Sequence, residues 1–375
     1  MIKLLGIGLT AFLFLILEQK LYQKLWKKGL NVKVCFTKDS LFEGEDSTLQ
    51  EVVENRKKLP LSMLKVKFQT HRNLLFEETN GSRTTDRYYR NDVFQVGGGE
   101  KITRNITFTG GKRGFYTIRT VDLVAADLFL TSPMVATAAV NTSVYVYPKP
   151  FDSAEFRHSL KQLNGEILTR RHLLEDPFEY RGIREYQPFD DMRSINWKAT
   201  AKTGELKVNQ RNHTALQSVR IFLNLEDEGI LKKQDCVEAA IRIGAGLCEH
   251  FLKEGIQTAC YGNAEDALSG TLLCKEAGAG QGHMTGIYRG LACMDTGKIQ
   301  PFAAHFQDKL LREGAGTFTC FVSPNQYADF VRLVEEYQQI GQDYIWFYPV
   351  EGSQDPELPQ TLEKHIRLLH LNNNI

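Results

Sequence analysis

Val219-Arg-Ile-Phe-Leu-Asn-Leu225 is the stretch whose reading decides the fold class. Apolar residues run through it without the alternation of a half-buried strand, so it reads as a strand covered on both faces. The downstream pattern supports that reading. Residues 234–253 carry Val237, Ala240, Ile241, Leu247, Cys248, Phe251 and Leu252 at helical spacing, and Gly255 stands where a helix stop belongs. Residues 256–261, 317–322 and 343–349 read as further strands, and 282–293, 302–312 and 325–339 as helices. The alternation predicts an α/β domain over 216–375, a mainly parallel sheet with helices on both sides.

Upstream the pattern changes. Residues 32–36, 47–53, 63–68, 101–108, 115–119 and 143–147 exchange apolar and polar residues with period two, as strands with one buried face do. Glu43-Gly44-Glu45-Asp46, Asn80-Gly81, Gly97-Gly98-Gly99 and Gly110-Gly111 punctuate them as turns. An antiparallel β-sandwich over 30–150 is expected. Asn91-Asp92 and the glycine triplet read together as a solvated turn.

Before the sandwich, Leu4 to Leu17 is uncharged and nearly all apolar. Those residues cover roughly 21 Å of helix, and Leu21, Tyr22, Leu25 and Trp26 could extend it into an interface. Leu17-Glu18-Gln19-Lys20 lacks the small residues of a signal-peptide cleavage site. The expectation is a single membrane anchor over 1–28. Lys20, Lys24, Lys27, Lys28 and Lys33 come after it against Lys3 alone before it, so the positive-inside rule puts the remaining chain in the cytoplasm. The expected location is the cell membrane, single-pass.

Composition narrows the function classes. The 375 residues are 42% hydrophobic and 24% charged, which suits two folded domains. A net charge of +1 speaks against a general nucleic-acid binder. The seven cysteines form no C-x-x-C pair, and six fall after residue 235; they read as reduced, buried thiols. The nine histidines show no metal-ligand spacing. Gly278-Ala-Gly-Gln-Gly-His283 lacks the ending of a phosphate loop and reads as a loop and helix cap.

Residues 151–215 lie between the two domains. Here Glu179-Tyr-Arg-Gly-Ile-Arg-Glu-Tyr186 leads into Asp190-Asp191-Met-Arg193-Ser-Ile-Asn-Trp197-Lys198, and then into Gly204-Glu-Leu-Lys-Val208. Nine Lys/Arg and seven Asp/Glu fall between Arg170 and Arg211, a near balance that suits internal pairing and not a phosphate-binding stripe. Two readings stay open for Arg184, Tyr186, Asp190, Asp191, Arg193, Trp197 and Lys198: an inter-domain clasp, or a docking face for a partner with Arg and Trp as anchors. A Trp197 packed in a clasp would cost ~3–5 kcal/mol on truncation to alanine. Catalysis by Asp190 and Asp191 is disfavoured, because adjacent residues on an extended segment point opposite ways.

The same segment resembles the bacterial "domain of unknown function 58" family. Gly182, Arg184, Tyr186, Asp190, Asp191, Arg193, Ile195, Trp197, Lys198, Ala201 and Gly204 match its order and spacing, while Phe189 and Asn196 depart from the usual glycine and aspartate. Phe42-Glu43-Gly44-Glu45 and Lys112-Arg113-Gly114-Phe115-Tyr116 resemble landmarks of its β domain. The resemblance implies a von Willebrand factor A-like doubly wound sheet at the C-terminal end and a non-enzymatic scaffold or adaptor. It also implies association with a MoxR-type AAA+ ATPase, and with a transglutaminase-like membrane protein. In that fold a strand-end Asp-x-Ser-x-Ser motif holds Mg²⁺. The corresponding positions here are Asn224, Glu226, Glu228 and Ser323, a poorer oxygen set, so no tight Mg²⁺ site and no other cofactor is expected. A metal-dependent adhesion-type binding module is the alternative. The whole chain is thus expected to be an α+β multidomain protein: membrane helix, antiparallel sandwich, then von Willebrand factor A-like sheet.

Overall fold

Alternation over residues 30–150 produces strands in a computed structural model that describes residues 2–76, 83–84, 87–173, 175–187, 190, 192–213, 218–227, 229, 233–312, 317–352 and 355–371. The chain divides into two compact units, Met1–Lys149 and Pro150–Ile375. In the first, helix α1 (Ile2–Leu25) precedes β1 (Leu30–Phe36), β2 (Ser40–Phe42), β3 (Asp46–Asn55), β4 (Leu61–His71) and β5 (Leu74–Phe76). After these come β6 (Arg83–Thr84), β7 (Arg87–Val96), β8 (Lys101–Gly110), β9 (Gly114–Ala126) and β10 (Pro133–Tyr147).

One sheet has the order β1-β3-β8-β5 and the other β2-β10-β9-β4-β7-β6. Every pairing is antiparallel except β10 with β2. The inward positions of both sheets meet in one core. Phe36, Leu49, Val53 and Phe108 come from one sheet, and Leu64, Val66, Phe94, Ile118 and Val144 from the other. The Asn91-Asp92 turn is not formed. Both residues lie within β7, in register with Lys67 and Val66 of β4.

The membrane anchor is corrected. No helix among the described residues is long and apolar enough to cross a membrane. The apolar part of α1 ends at Leu17, so Ile2 to Leu17 spans only ~24 Å against a hydrocarbon core of ~30 Å. Beyond it the helix joins the sandwich. Glu18 is buried and accepts the Leu128 N–H at 2.9 Å. Tyr22 is buried and donates to the Pro60 carbonyl at 3.1 Å, and Trp26 packs in the same core. Of the residues expected to lead into an interface, Tyr22 and Trp26 are core residues of the first unit, whereas Leu21 is exposed and Leu25 half-buried. The single-pass location and its cytoplasmic orientation fall with the anchor.

The second unit opens with α2 (Ala154–Leu173), β11 (Glu175–Glu185), α3 (Trp197–Thr203) and β12 (Lys207–His213). Next are β13 (Ser218–Leu223), α4 (Gln234–Lys253), β14 (Gln257–Asp266), β15 (Leu272–Gly278), α5 (Gln281–Cys293) and β16 (Met294–Ile299). The unit ends with α6 (Phe302–Arg312), β17 (Thr317–Val322), α7 (Ala328–Gln339), β18 (Tyr344–Glu351) and β19 (Ile366–Leu371). The strand order is β15-β14-β13-β17-β18-β19, with β16 also on β14. Five neighbours, β14 to β19 through β13, β17 and β18, run parallel.

The expected doubly wound, von Willebrand factor A-like sheet is corrected to a mixed one. After β14 the chain turns back directly into antiparallel β15, and β16, which follows α5, also runs antiparallel to β14. Between β18 and β19 the described residues hold only a short 3₁₀ turn, Glu363–His365, where a crossover helix belongs. At the centre, all six residues of β13 are buried. Phe222 stacks on Tyr261 with ring centres 4.7 Å apart and meets Phe302 and Phe306 of α6. On the other face Leu223 packs so closely on Gly244 of α4 that a Cβ there would lie 2.6 Å from it. Of the cysteines, Cys236, Cys248, Cys260, Cys293 and Cys320 are buried, whereas Cys274 is exposed and Cys35 partly so.

One core position of the sandwich is charged. Glu51 of β3 points inward, is fully buried, and neither carboxyl oxygen has a hydrogen-bond partner among the described residues. Asp92 faces it, engaged by Arg90 and Arg104. Burial pushes the Glu51 carboxyl from 4.5 up to about 8, and the neighbouring Asp92 charge adds to the rise. The folded value exceeds the unfolded one. The contribution to stability is therefore complete below about pH 4.5 and lost as pH rises through about 8. Glu51→Gln is expected to melt higher than the parent chain at about pH 8.5 and level with it near pH 4.5. Thermal melts across that range test this; parallel curves for the two proteins would defeat it.

Candidate functional site

The signature residues fold into a small module of their own within the second unit. Strands β11 and β12 pair antiparallel with Ile183 opposite Asn209, Arg184 opposite Val208 and Glu185 opposite Lys207. Ile195 bridges to Val208, and these two supply the buried apolar contact. A short 3₁₀ turn, Met192–Ser194, and α3 fill the space between the strands.

Asn196 holds the module together. Its side-chain carbonyl accepts the Ala199 N–H at 2.9 Å, capping α3. Its amide donates to Asn209 Oδ1 of β12 at 2.7 Å. Its own backbone N–H donates to the Lys207 carbonyl at 2.8 Å. An aspartate, usual in the resembling family, would cap equally well but has no proton for Asn209. At the other end of α3, Gly204 takes the left-handed conformation at φ 76° and returns its N–H to the Thr200 carbonyl, as a helix-ending glycine does.

Charge pairing accounts for much of the remaining chemistry. Arg184 forms a two-point pair with Asp190, at 2.7 and 2.6 Å, and Asp190 also accepts the Gln187 N–H at 2.7 Å. The Arg184 guanidinium holds the Asp190 carboxyl below the usual carboxylate range. Lys207 reaches both Glu205 and Glu185 at 3.2 Å, which raises its ammonium above the ordinary lysine value. Arg193 and Lys198 are exposed, and Tyr186 is half-buried. Asp191 lies outside the described residues.

Trp197 does not pack in a core. It is 65% exposed at the first turn of α3. Met192, Ile183 and Leu206 are exposed in the same module. None of these three stood out in the sequence, because lone apolar residues among charges look like interior positions of short strands. The alternation around Ile183 could have marked it as outward.

The positions corresponding to a strand-end metal site come together around β13 and β17. The Asn224 side-chain oxygen accepts the Glu226 N–H and the Asn263 amide, each at 3.2 Å. Glu226 Oε1 accepts the Phe302 N–H at 2.7 Å. Asn325 donates to the Glu226 carbonyl at 2.6 Å, and Ser323 Oγ to the Asn325 carbonyl at 3.1 Å. Ser323 Oγ also accepts the Asn325 N–H at 3.3 Å, so each of these side chains has an oxygen engaged with a protein donor. Glu228 lies outside the described residues. The cap of α5 falls within the Gly278–His283 stretch, at Gly280, and His283 bonds the Thr258 carbonyl at 2.7 Å from within the first turn.

Asn196→Ala removes both the cap and the amide donor. It is expected to cost about 1 kcal/mol, seen as a fall of roughly 2–4 °C in melting temperature. Asn196→Asp, which keeps the cap alone, should fall between the two. Identical melts for all three proteins would show that the module is held some other way.

No protein-family model matches the chain, and no curated protein matches it. Three solved structures overlap parts of it. The sixth cohesin of Acetivibrio cellulolyticus scaffoldin B, crystallised with a dockerin, is 14% identical, with a TM-score of 0.24 over 32% of this chain and 99% of that one. A non-cellulosomal cohesin from the archaeon Archaeoglobus fulgidus is 13% identical, with a TM-score of 0.22 over 34% and 97%. The sporulation control protein Spo0M of Bacillus subtilis is 13% identical, with a TM-score of 0.18 over 42% and 58%. These are described as two cohesins and a sporulation control protein, and overlaps this slight transfer neither a ligand nor a fold name. The von Willebrand factor A-like name is dropped.

Proposed function

We propose that this chain is a non-catalytic scaffold that binds a protein partner through the module of β11, α3 and β12. The observation that carries the reading is Trp197, a large aromatic side chain left 65% exposed on a helix that Asn196 and Gly204 fix at both ends. Aromatic residues held rigidly in the open lose little freedom on binding and are common anchors of interfaces. Arg193 and Lys198 flank it as exposed cations. The resemblance of residues 179–208 makes a MoxR-type AAA+ ATPase the partner to test first, with a transglutaminase-like membrane protein second.

An exposed Trp197 can be removed at little cost to the fold. Trp197→Ala is expected to move the melting temperature by less than about 1–2 °C, since surface changes stay within about 0.5 kcal/mol. The same variant should lose capture of the ATPase when the tagged full chain is used as bait. Undiminished capture by a folded variant would remove Trp197 from the interface; a melt lowered by ~10 °C would return it to a packing role.

The adhesion-type alternative finds less support, because side-chain oxygens of Asn224, Glu226 and Ser323 each accept a protein N–H. Titration calorimetry of the full chain with millimolar Mg²⁺ is expected to give no binding heat. A saturable heat abolished by Glu226→Ala would favour the metal-dependent module instead.

A further inference from the structure

The interior of the first unit holds a pair of acids that the Trp197 module does not involve. Glu51 stands on β3 and Asp92 on β7, so one comes from each sheet of the sandwich. Alternation turns both inward. Along β3, Ser47, Leu49, Glu51, Val53 and Asn55 are buried, and along β7, Arg90, Asp92, Phe94 and Val96 are. Glu51 is 0% exposed and Asp92 7%. The two carboxyl groups lie within hydrogen-bonding reach of each other.

The charged groups that act on Glu51 come from β7 and β8. Strand β7 supplies Arg90 and Asp92, with the Tyr88 hydroxyl next along it, and β8 supplies Arg104, in register with Glu51. From β1, Val34 stands in register with Glu51, and from β4, Val66 with Asp92. Both guanidinium groups are directed at Asp92. Arg90 donates Nε–H to one Asp92 oxygen and Nη2–H to the other, the second at 3.3 Å. Arg104 donates to Asp92 Oδ1 and to the Val93 carbonyl, each at 3.2 Å. Neither Glu51 oxygen receives an N–H or O–H among the described residues.

This asymmetry decides where a proton goes. An ionised carboxylate accepts hydrogen bonds and donates none, so two ionised carboxylates side by side leave Glu51 bare. A bare buried charge is far costlier than a neutral acid. With a proton Glu51 becomes a donor, and the Asp92 carboxylate, already oriented by two arginines, is the acceptor within reach. Two acids enclosed together take up a single proton between them for the same reason. We propose that Glu51 and Asp92 share one proton across the sandwich interior, and that this O–H···O bond is a pH-sensitive latch between the two sheets. When base removes the proton, the Glu51 O–H bond breaks, the proton leaves to water, and two carboxylates face each other across the sheets. Their repulsion in a low-dielectric interior favours parting β3 from β7.

Local opening returns Glu51 to its ordinary value of 4.5, against about 8 in the closed sandwich. The closed value is the higher one, so the latch is at full strength below about 4.5 and lost as pH rises through about 8. Opening therefore becomes about tenfold more frequent for each pH unit between those values and constant above them. Amide hydrogen exchange of the full chain, corrected for the intrinsic rate at each pH, reads this directly. Protection in β3 and β7 is expected to fall about tenfold per unit from about pH 6 to 8 and then level off, while α4 of the second unit shows no such slope. Glu51→Gln keeps a donor for Asp92 at every pH, and its β3 and β7 protection should show no slope. The infrared spectrum of the parent at about pH 7 should contain a protonated-carboxyl band that is gone by about pH 10. That band is absent from Glu51→Gln, and the parent spectrum decides alone if the variant does not fold. Equal exchange slopes in parent and variant would overturn the proposal. So would a parent spectrum without a protonated carboxyl at about pH 7.

Discussion

Strand β13 is buried on both faces and paired on both edges, and much of the second unit is arranged by that constraint. A strand with no free edge and no free face can carry few polar side chains, and each must be answered from within. Arg220 is answered by the Tyr337 hydroxyl at 2.9 Å and the Lys309 carbonyl at 3.3 Å, which ties α6 and α7 to the same face. Leu223 requires the absence of a side chain at Gly244 and so fixes how α4 approaches. At the strand's carboxyl end Asn224 meets Asn263 and Glu226, and Asn325 bonds the Glu226 carbonyl. Those groups close the end with amide and carbonyl bonds. Where a sheet of parallel strands often places a ligand, this one places a hydrogen-bonded knot.

The parts of this fold that could be read from sequence are those set by local periodicity. Helix α4 was legible at both ends, from Gln234 to Lys253, because its buried stripe and Gly255 agree. Strands β1, β3 and β8 announced themselves by alternation. The hairpin of β14 and β15 did not, because Leu272–Gly278 has only one buried position and reads as a polar turn. The N-terminal helix shows a different limit. Hydropathy cannot tell a run that ends in lipid from one that ends in a protein core, and it is Glu18, Tyr22 and Trp26 meeting Leu128 and Pro60 that decide. At the candidate site, the residues were legible but their exposure was not. Trp197 looks like an interior residue until Asn196 caps the helix and leaves the ring outside.

Paired residues were misread where chemistry outweighed pattern. Asn91-Asp92 has the composition of a turn, yet it continues the alternation of β7. Tertiary charge explains why the strand tolerates it. Arg90 and Arg104 satisfy Asp92 inside the sandwich, and Asn91 lies on the outer face. The strand thus carries its acid on the core side and its amide on the outer side. A one-residue slip would exchange them and bury an amide where the arginines need a carboxylate.

Carboxylate pairing also bears on whether the chain does chemistry. A general base working near neutral pH needs a value near 7 and access to substrate. Asp190 is held low by Arg184, and Glu276 is held low by Lys309. Glu205 and Glu185 share one lysine. Burial pushes Glu51 up to about 8, and it is wholly enclosed by the sandwich. Glu51 lacks access, and Asp190, Glu276, Glu185 and Glu205 are paired with cations. That division is what a binding surface needs, since fixed and balanced charges give orientation and register without reactivity. It supports reading the exposed Trp197 module as a place where another protein sits.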